Sequence, residues 1–243
     1  MAGSVRLRNP SLSGSGAGIR PIRRAKQGRD LPWPTLIRAL QAHYGQGTWR
    51  VPVLRARGAD PFHVLVSTML SHRTRDEVTE RATHRLLSHF PTPQAIANAP
   101  LARIEDLIAE VGLTSTKARG IQRASRAILE RFGGTVPPSE RDLLSLPLVG
   151  PKTAHAVRVF GFERDALPID THILRVAQRL GAVRSRSIAG AQRELAREVP
   201  RRYWKMINPL LVQHGQNICR ASSPECAKCP IEPWCPRTGV RTD

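Results

Sequence analysis

The chain has 243 residues, with 38 Lys and Arg against 19 Asp and Glu, a formal net charge of +19. That length allows one large core or two modest ones, and so large a basic excess points to a polyanionic partner, nucleic acid first, since arginine forks suit phosphate oxygens. No run of about 18 apolar residues occurs, which excludes a membrane-spanning helix, and no long basic amphipathic helix offers a membrane surface as the alternative partner.

Residues 1–29 carry seven Arg or Lys and no acid, are rich in Gly, Ser and Pro, and lack apolar periodicity. They are expected to form a disordered basic arm trailing on DNA; an organellar transit peptide has the same composition. From Asp30 onward the pattern is helical almost throughout. Leu36, Leu40 and Tyr44 recur at fourfold spacing behind Pro32-Trp33-Pro34. Pro61 starts a segment whose Phe62, Val64, Leu65, Thr68, Met69 and Leu70 suit a buried helix. Val78 to Phe90 reads as a helix with Ala82, Leu86 and Leu87 inward, and short helices follow over 93–98, 101–111 and 117–132. Gly112 is expected to stop the second of these and Gly133-Gly134 the third. Pro137, Pro138 and Ser139 then open a helix over 139–145. No alternating strand pattern competes, so the class is all-α.

The stretch Leu146-Pro147-Leu148-Val149-Gly150-Pro151-Lys152-Thr153 breaks this rhythm before a helix expected over 153–160. Leu146 and Val149 can pack inward while Gly150 permits a tight turn. A turn whose amides open onto a helix N-terminus can cradle a phosphate; an ordinary helix–turn–helix connector carries the same Pro and Gly marks. Lys152, directly behind the turn, is either one more phosphate contact or a nucleophile. Asp170 precedes Thr171-His172-Ile173-Leu174 as a favoured N-cap, and His172 reads as a structural hydrogen-bonding residue.

Cys219, Cys226, Cys229 and Cys235 follow the spacing C-x6-C-x2-C-x5-C and are the chain's only cysteines. Four thiolates can close a zinc shell or ligate an iron–sulfur cubane. Paired disulfides are the alternative, but no secretory signal opens the chain. Only Cys226 and Cys229 form the short pair usual for zinc, so the long first gap leans toward a cluster.

Five of these elements occur in one order. LPLVGPKTA (146–154) resembles the helix–hairpin–helix of the endonuclease III family of DNA glycosylases, and IDTHILRV (169–176) its aspartate-bearing helix start. The four cysteines have that family's iron–sulfur spacing, while PFHVLVSTMLSHRTRDEVT (61–79) and EVGLTSTKARGI (110–121) resemble its helices beside the lesion pocket. The likeness runs from about residue 30 to 236. It implies a two-lobed helical fold, with a six-helix barrel over 54–164, a discontinuous second lobe of 30–53 and 165–243 holding a [4Fe-4S] cluster on Cys219, Cys226, Cys229 and Cys235, and double-stranded DNA in the cleft.

The resemblance further implies a base-excision-repair glycosylase and AP lyase removing damaged pyrimidines. Lys152 would be the amine nucleophile at C1′, passing through a Schiff base to β-elimination, and Asp170 would take a proton or stabilise the cationic sugar. Leu146, Leu148, Gly150, Pro151 and Thr153 of the hairpin, with His172 and Lys228, would meet DNA. Leu113 would be the apolar wedge that holds the duplex open, although a buried helix-end leucine is the equal alternative. Trp234 is expected to pack over the cluster. Three departures from the family pattern stand out: Arg73 where the plug is usually glutamine, Leu148 in place of the first hairpin glycine, and Thr114-Ser115-Thr116 after the wedge; together they suggest an altered substrate range. The rivals are a mismatch-directed or monofunctional glycosylase of the same superfamily, and a non-enzymatic DNA-binding module with zinc. A monomer is expected, in the cytoplasm on the nucleoid, or in an organelle or nucleus in a eukaryote.

Overall fold

The computed structural model describes residues 31–45 and 60–240, and among these every regular element is helical. The basic arm expected over 1–29 lies outside the described residues. Local signals start most helices. In α1 (Trp33–Tyr44) the fourfold repeat buries Trp33, Leu36, Ile37 and Leu40. Pro61 sits at the first position of α2 (Pro61–Ser71), where its missing N–H is no loss, and Asp60 Oδ2 accepts from His63 N at 3.3 Å. α3 (Asp76–His89) begins with Asp76 and Glu77, favourable at the positive end of the helix dipole. Thr92 caps α4 (Pro93–Asn98) and Ser139 caps α7 (Glu140–Leu144), each accepting a backbone N–H at 3.1 Å.

Between these, α5 (Leu101–Leu107) ends sooner than the spacing predicts, and Arg85 Nε donates to the Leu107 carbonyl at its end at 2.7 Å. α6 starts earlier than expected, at Thr114, and runs to Phe132, where Gly133 at φ 60° and Gly134 at φ 83° end it; Gly134 N reaches back to Ile128 O at 3.1 Å. α8 (Pro151–Ala156) is short and loosens into a π-helical turn over Val157–Gly161. Residues 153–160 are thus helical as expected, but not one continuous α-helix. After α9 (Thr171–Arg179) come α10 (Ile188–Glu198), capped by Ser187, and α11 (Trp204–Asn217), which contains Pro209.

Two hydrophobic clusters divide the described residues. The first is built on α2 through α8, with α2 at its centre: eight of the eleven α2 residues are buried. The second joins α1 to α9, α10, α11 and Ile231 of the cysteine segment. The chain passes from one to the other between Ala166 and Leu167, while α1 enters the second from the far end of the chain. Polar side chains bridge the join. Gln216 Nε2 donates to Asp76 Oδ2 at 3.0 Å, and buried His155 reaches from the first cluster to Leu167 O at 3.2 Å while its other nitrogen meets Glu140 at 2.9 Å.

Candidate active site

The hairpin between α7 and α8 is shaped by what it buries. Leu143, Leu146 and Val149 point into the first core, and Val149 N donates to Leu146 O at 3.2 Å to close the turn. Leu146 and Thr153 are 3 % and 0 % exposed, so both side chains are turned into the protein and neither is presented at the hairpin surface. The left-handed residue is Leu148, at φ 63°, and not Gly150, whose φ is −99°. Gly150 faces open space, where a Cβ would meet nothing within 4 Å. Pro151 is exposed at the first position of α8, and Lys152 follows it half-buried.

Leu148 is 48 % exposed, yet a Cβ on Gly120 of α6 would lie 2.4 Å from its Cδ2. A left-handed leucine costs about 1–2 kcal/mol, and its seat over Gly120 offsets part of that. Gly120→Ala is therefore expected to destabilise the protein by about 1–3 kcal/mol through overpacking, read as a lower urea midpoint. Adding Leu148→Gly to that variant should restore most of the loss.

Behind α2 the chain makes a second exposed turn. Arg73 stands at φ 53° between His72 and Thr74, and the Leu113 turn, at φ 61° and 56 % exposed, lies beside it: a Cβ on Gly112 would come 3.0 Å from the Arg73 carbonyl oxygen. The exposure of Leu113 rules out its reading as a buried helix-end leucine. His72 Nε2 is 3.4 Å from Thr153 Oγ1, and burial, with the charges of Lys152 and Lys117 next, lowers its pKa and keeps the imidazole neutral. This loop thus touches the hairpin helix that carries Lys152.

Asp170 caps α9 as its type predicts, Oδ1 accepting from Ile173 N at 2.9 Å. His172 is half-buried, with Nδ1 3.1 Å from Arg175 Nη2. The opposite end of α9 holds the cysteine segment. Arg175 Nε donates to Cys219 O at 3.0 Å, and Arg179 donates to Arg220 O at 2.6 Å and Ala221 O at 2.9 Å. One helix therefore carries the aspartate at its start and anchors the cysteines at its end.

None of the four thiols forms a disulfide, and all four line one pocket walled by Val176, Ile218 and Ile231. Burial, with the three neighbouring thiols adding to it and a backbone hydrogen bond from Ile231 opposing it, pushes the Cys229 thiol up to about 11. Such sulfurs become thiolates readily only beside a cation. Arg179 Nη1 stands 3.4 Å from Cys219 Sγ, and Trp234, Cys219, Cys229 and Cys235 each pack against the second core. Among the described residues no three His, Cys, Asp or Glu side chains converge as ligands of a single ion do. The four sulfurs share this pocket with His214, whose Nε2 is 3.5 Å from Cys229 Sγ, a donor set whose chemistry suits zinc or an iron–sulfur cluster. Lys228 is 76 % exposed and tied to Glu225 at 2.7 Å, with Arg220 on the same carboxylate.

Residues 66–202 match the model of the HhH-GPD superfamily of base excision DNA repair proteins. The endonuclease III of Thermotoga maritima is 43 % identical over 176 residues, covering 72 % of this chain and 83 % of that protein. The chain belongs to the endonuclease III family. The Bacillus subtilis endonuclease III is 36 % identical over 76 % of this chain and 84 % of its own length. Among solved structures, a trapped endonuclease III–DNA covalent intermediate superposes with a TM-score of 0.76 at 28 % identity, covering 84 % of this chain and 93 % of that one. A thermostable thymine-DNA glycosylase has a TM-score of 0.75 at 22 % identity, a likeness of fold alone. Two residues of this endonuclease III homologue escaped the reading of the sequence. His72 is marked only by its place before Arg73, and Lys117 looks in sequence like any exposed base of a basic chain.

Proposed function

We propose that this protein removes damaged pyrimidines from double-stranded DNA and then cuts the strand, acting as a monomer with DNA between its two hydrophobic cores. The enzyme class, DNA glycosylase and AP lyase of base excision repair, goes with the family. The observation that carries the finer reading is Lys152: a half-buried amine at the second position of α8, behind an exposed hairpin turn and electrostatically close to a neutral His72. In that reading the Lys152 amine attacks C1′ of the extruded nucleotide as the base departs. The resulting imine acidifies the C2′ proton, and loss of that proton breaks the C3′–O bond. The hairpin amides and Gly150 hold the phosphate, and Arg73 and Leu113 fill the space the nucleotide leaves.

Asp170 caps α9 and serves the reaction at once, as proton acceptor or as the counter-charge to the sugar cation. Asn caps a helix as well as Asp does, so Asp170→Asn separates the two roles. Its urea midpoint should stay near the parent's, while turnover falls about 10²–10⁴-fold, the usual weight of a proton-transferring group.

Cys219, Cys226, Cys229 and Cys235 would hold a [4Fe-4S] cluster, which supplies a rigid cross-link rather than a chemical step. Arg175 and Arg179 transmit that rigidity to the helix that begins at Asp170. Among the described residues no helix is long and apolar enough to cross a membrane, and the protein's place is with DNA, on the nucleoid of a bacterium or in the organelle or nucleus of a eukaryote. The test is product analysis with borohydride on duplexes carrying an oxidised thymine, a mismatched thymine or no lesion. Excision and trapping on the oxidised base alone support the reading; a preference for the mismatch replaces it with the mismatch-directed one.

A further inference from the structure

The strongest hydrogen-bond centre near the exposed turns is a buried lysine. Lys117, in the first turn of α6, is 2 % exposed. Its Nζ donates at 2.7 Å to Leu70 O, at 2.7 Å to His72 O and at 2.7 Å to Thr74 Oγ1. Three acceptors match the three protons of an ammonium, and two are carbonyls at the negative end of α2, where a cation is favoured. Burying a charge is costly without such partners, and here burial lowers the Lys117 pKa to about 8. Helix ends are ordinarily closed by a glycine at far less cost.

The bonds converge on one place. Lys117 grips the residues on either side of Arg73 and so holds Arg73 at φ 53°. Its own backbone N donates to Leu113 O at 3.0 Å, tying the same residue to the other left-handed turn. The Gly112 backbone closes the gap, with room for no Cβ against the Arg73 carbonyl without a shift. Two strained, exposed residues from distant parts of the chain thus meet at one residue, the Arg73 turn through the Lys117 side chain and the Leu113 turn through its backbone, and strain kept this way marks a site where geometry matters.

We infer that Lys117 is a positioning residue that yokes the Arg73 and Leu113 turns, so that both side chains enter the duplex as a single rigid unit. The inference rests on the proposed roles of Arg73 and Leu113 in holding the duplex open, and it makes the two interdependent. Either turn alone is a short loop. Joined through Lys117 they act as one wedge, and a change at one is felt at the other.

The test avoids chemistry, so that its failure is distinguishable from failure of the proposed reaction. A duplex carries a tetrahydrofuran abasic analogue, which no lyase can open, opposite 2-aminopurine. Binding by the parent raises the fluorescence as the wedge unstacks the probe base. Lys117→Met should cut that rise about tenfold or more, with DNA affinity within about threefold, the range expected of a coupled contact. Arg73→Ala should cut it comparably, and the double variant should lose no more than about twofold beyond either alone. Thr74→Val, which removes one acceptor and leaves the lysine, should give a smaller loss in the same direction and decides the matter should Lys117→Met not fold. Losses that multiply in the double variant, or full fluorescence in Thr74→Val and Lys117→Met, overturn the yoke. Borohydride trapping by the parent on a natural abasic duplex reports on the reaction separately.

Discussion

Replacing Lys152 by Gln should abolish the borohydride-trapped adduct on a duplex with one abasic site and lower strand cutting by about a thousandfold or more, the scale of loss when a nucleophile is removed. The reason is chemical, since an amide cannot form the imine. The fold should be indifferent to the change: Lys152 is half-buried at the start of α8 and the hairpin is held by Leu143, Leu146 and Val149 instead. DNA affinity should also fall little, and its salt dependence should drop by about one phosphate contact at most. An adduct that persists in Lys152→Gln would move the nucleophile elsewhere. A parent that binds DNA and cuts nothing would leave a monofunctional glycosylase or a binding module.

The second large effect is expected at Cys229, the thiol whose burial raises its pKa to about 11. Cys229→Ser should cost the visible charge-transfer absorbance of a cluster, and with it the order of the segment from Cys219 to Arg237. A structural metal centre contributes several kcal/mol or more of folding free energy. For a chain of this size about 1 kcal/mol shifts Tm by roughly 2–4 °C, so a fall of about 10 °C or more is expected in a thermal melt. The first core should survive, because none of its packed residues lies in the cysteine segment. Lesion excision should nevertheless fall, since Arg175 and Arg179 would lose the carbonyls of Cys219, Arg220 and Ala221 that fix the helix behind Asp170. A variant that keeps its colour and melting temperature would exclude Cys229 as a ligand. Zinc in place of iron in the parent would show as a colourless protein with the same dependence on the four thiols.

How much of this was legible in the chain follows from the range of the forces involved. Helix starts and stops are short-range matters, and Pro61, Ser139, Asp170 and the Gly133-Gly134 pair each act within one turn, so their roles could be read directly and stand in the fold. The all-α class, the hairpin between two helices and the crowding of all four cysteines into one segment are likewise properties of spacing, and each appears as read. α10 and α11 were not legible. Pro200 and Pro209 punctuate that stretch as loops would be punctuated, and α11 forms because burial of Ile207, Leu210, Leu211 and Val212 in the second core outweighs the hydrogen bond lost at Pro209.

What only the tertiary structure decided is orientation. Leu146 and Leu148 differ in sequence by nothing but position, yet the core takes one and a left-handed turn turns the other outward over Gly120. Lys117 is the extreme case, since its acceptors lie 43 to 47 positions upstream and are ordinary backbone and hydroxyl groups with no residue signature of their own. The chain by itself determines which side chains can do the chemistry, because residue type and local spacing carry that information. Which of them reach the DNA, and which are held rigid to do so, is set by long-range packing, because burial and hydrogen-bond partners come from residues that no local pattern brings together.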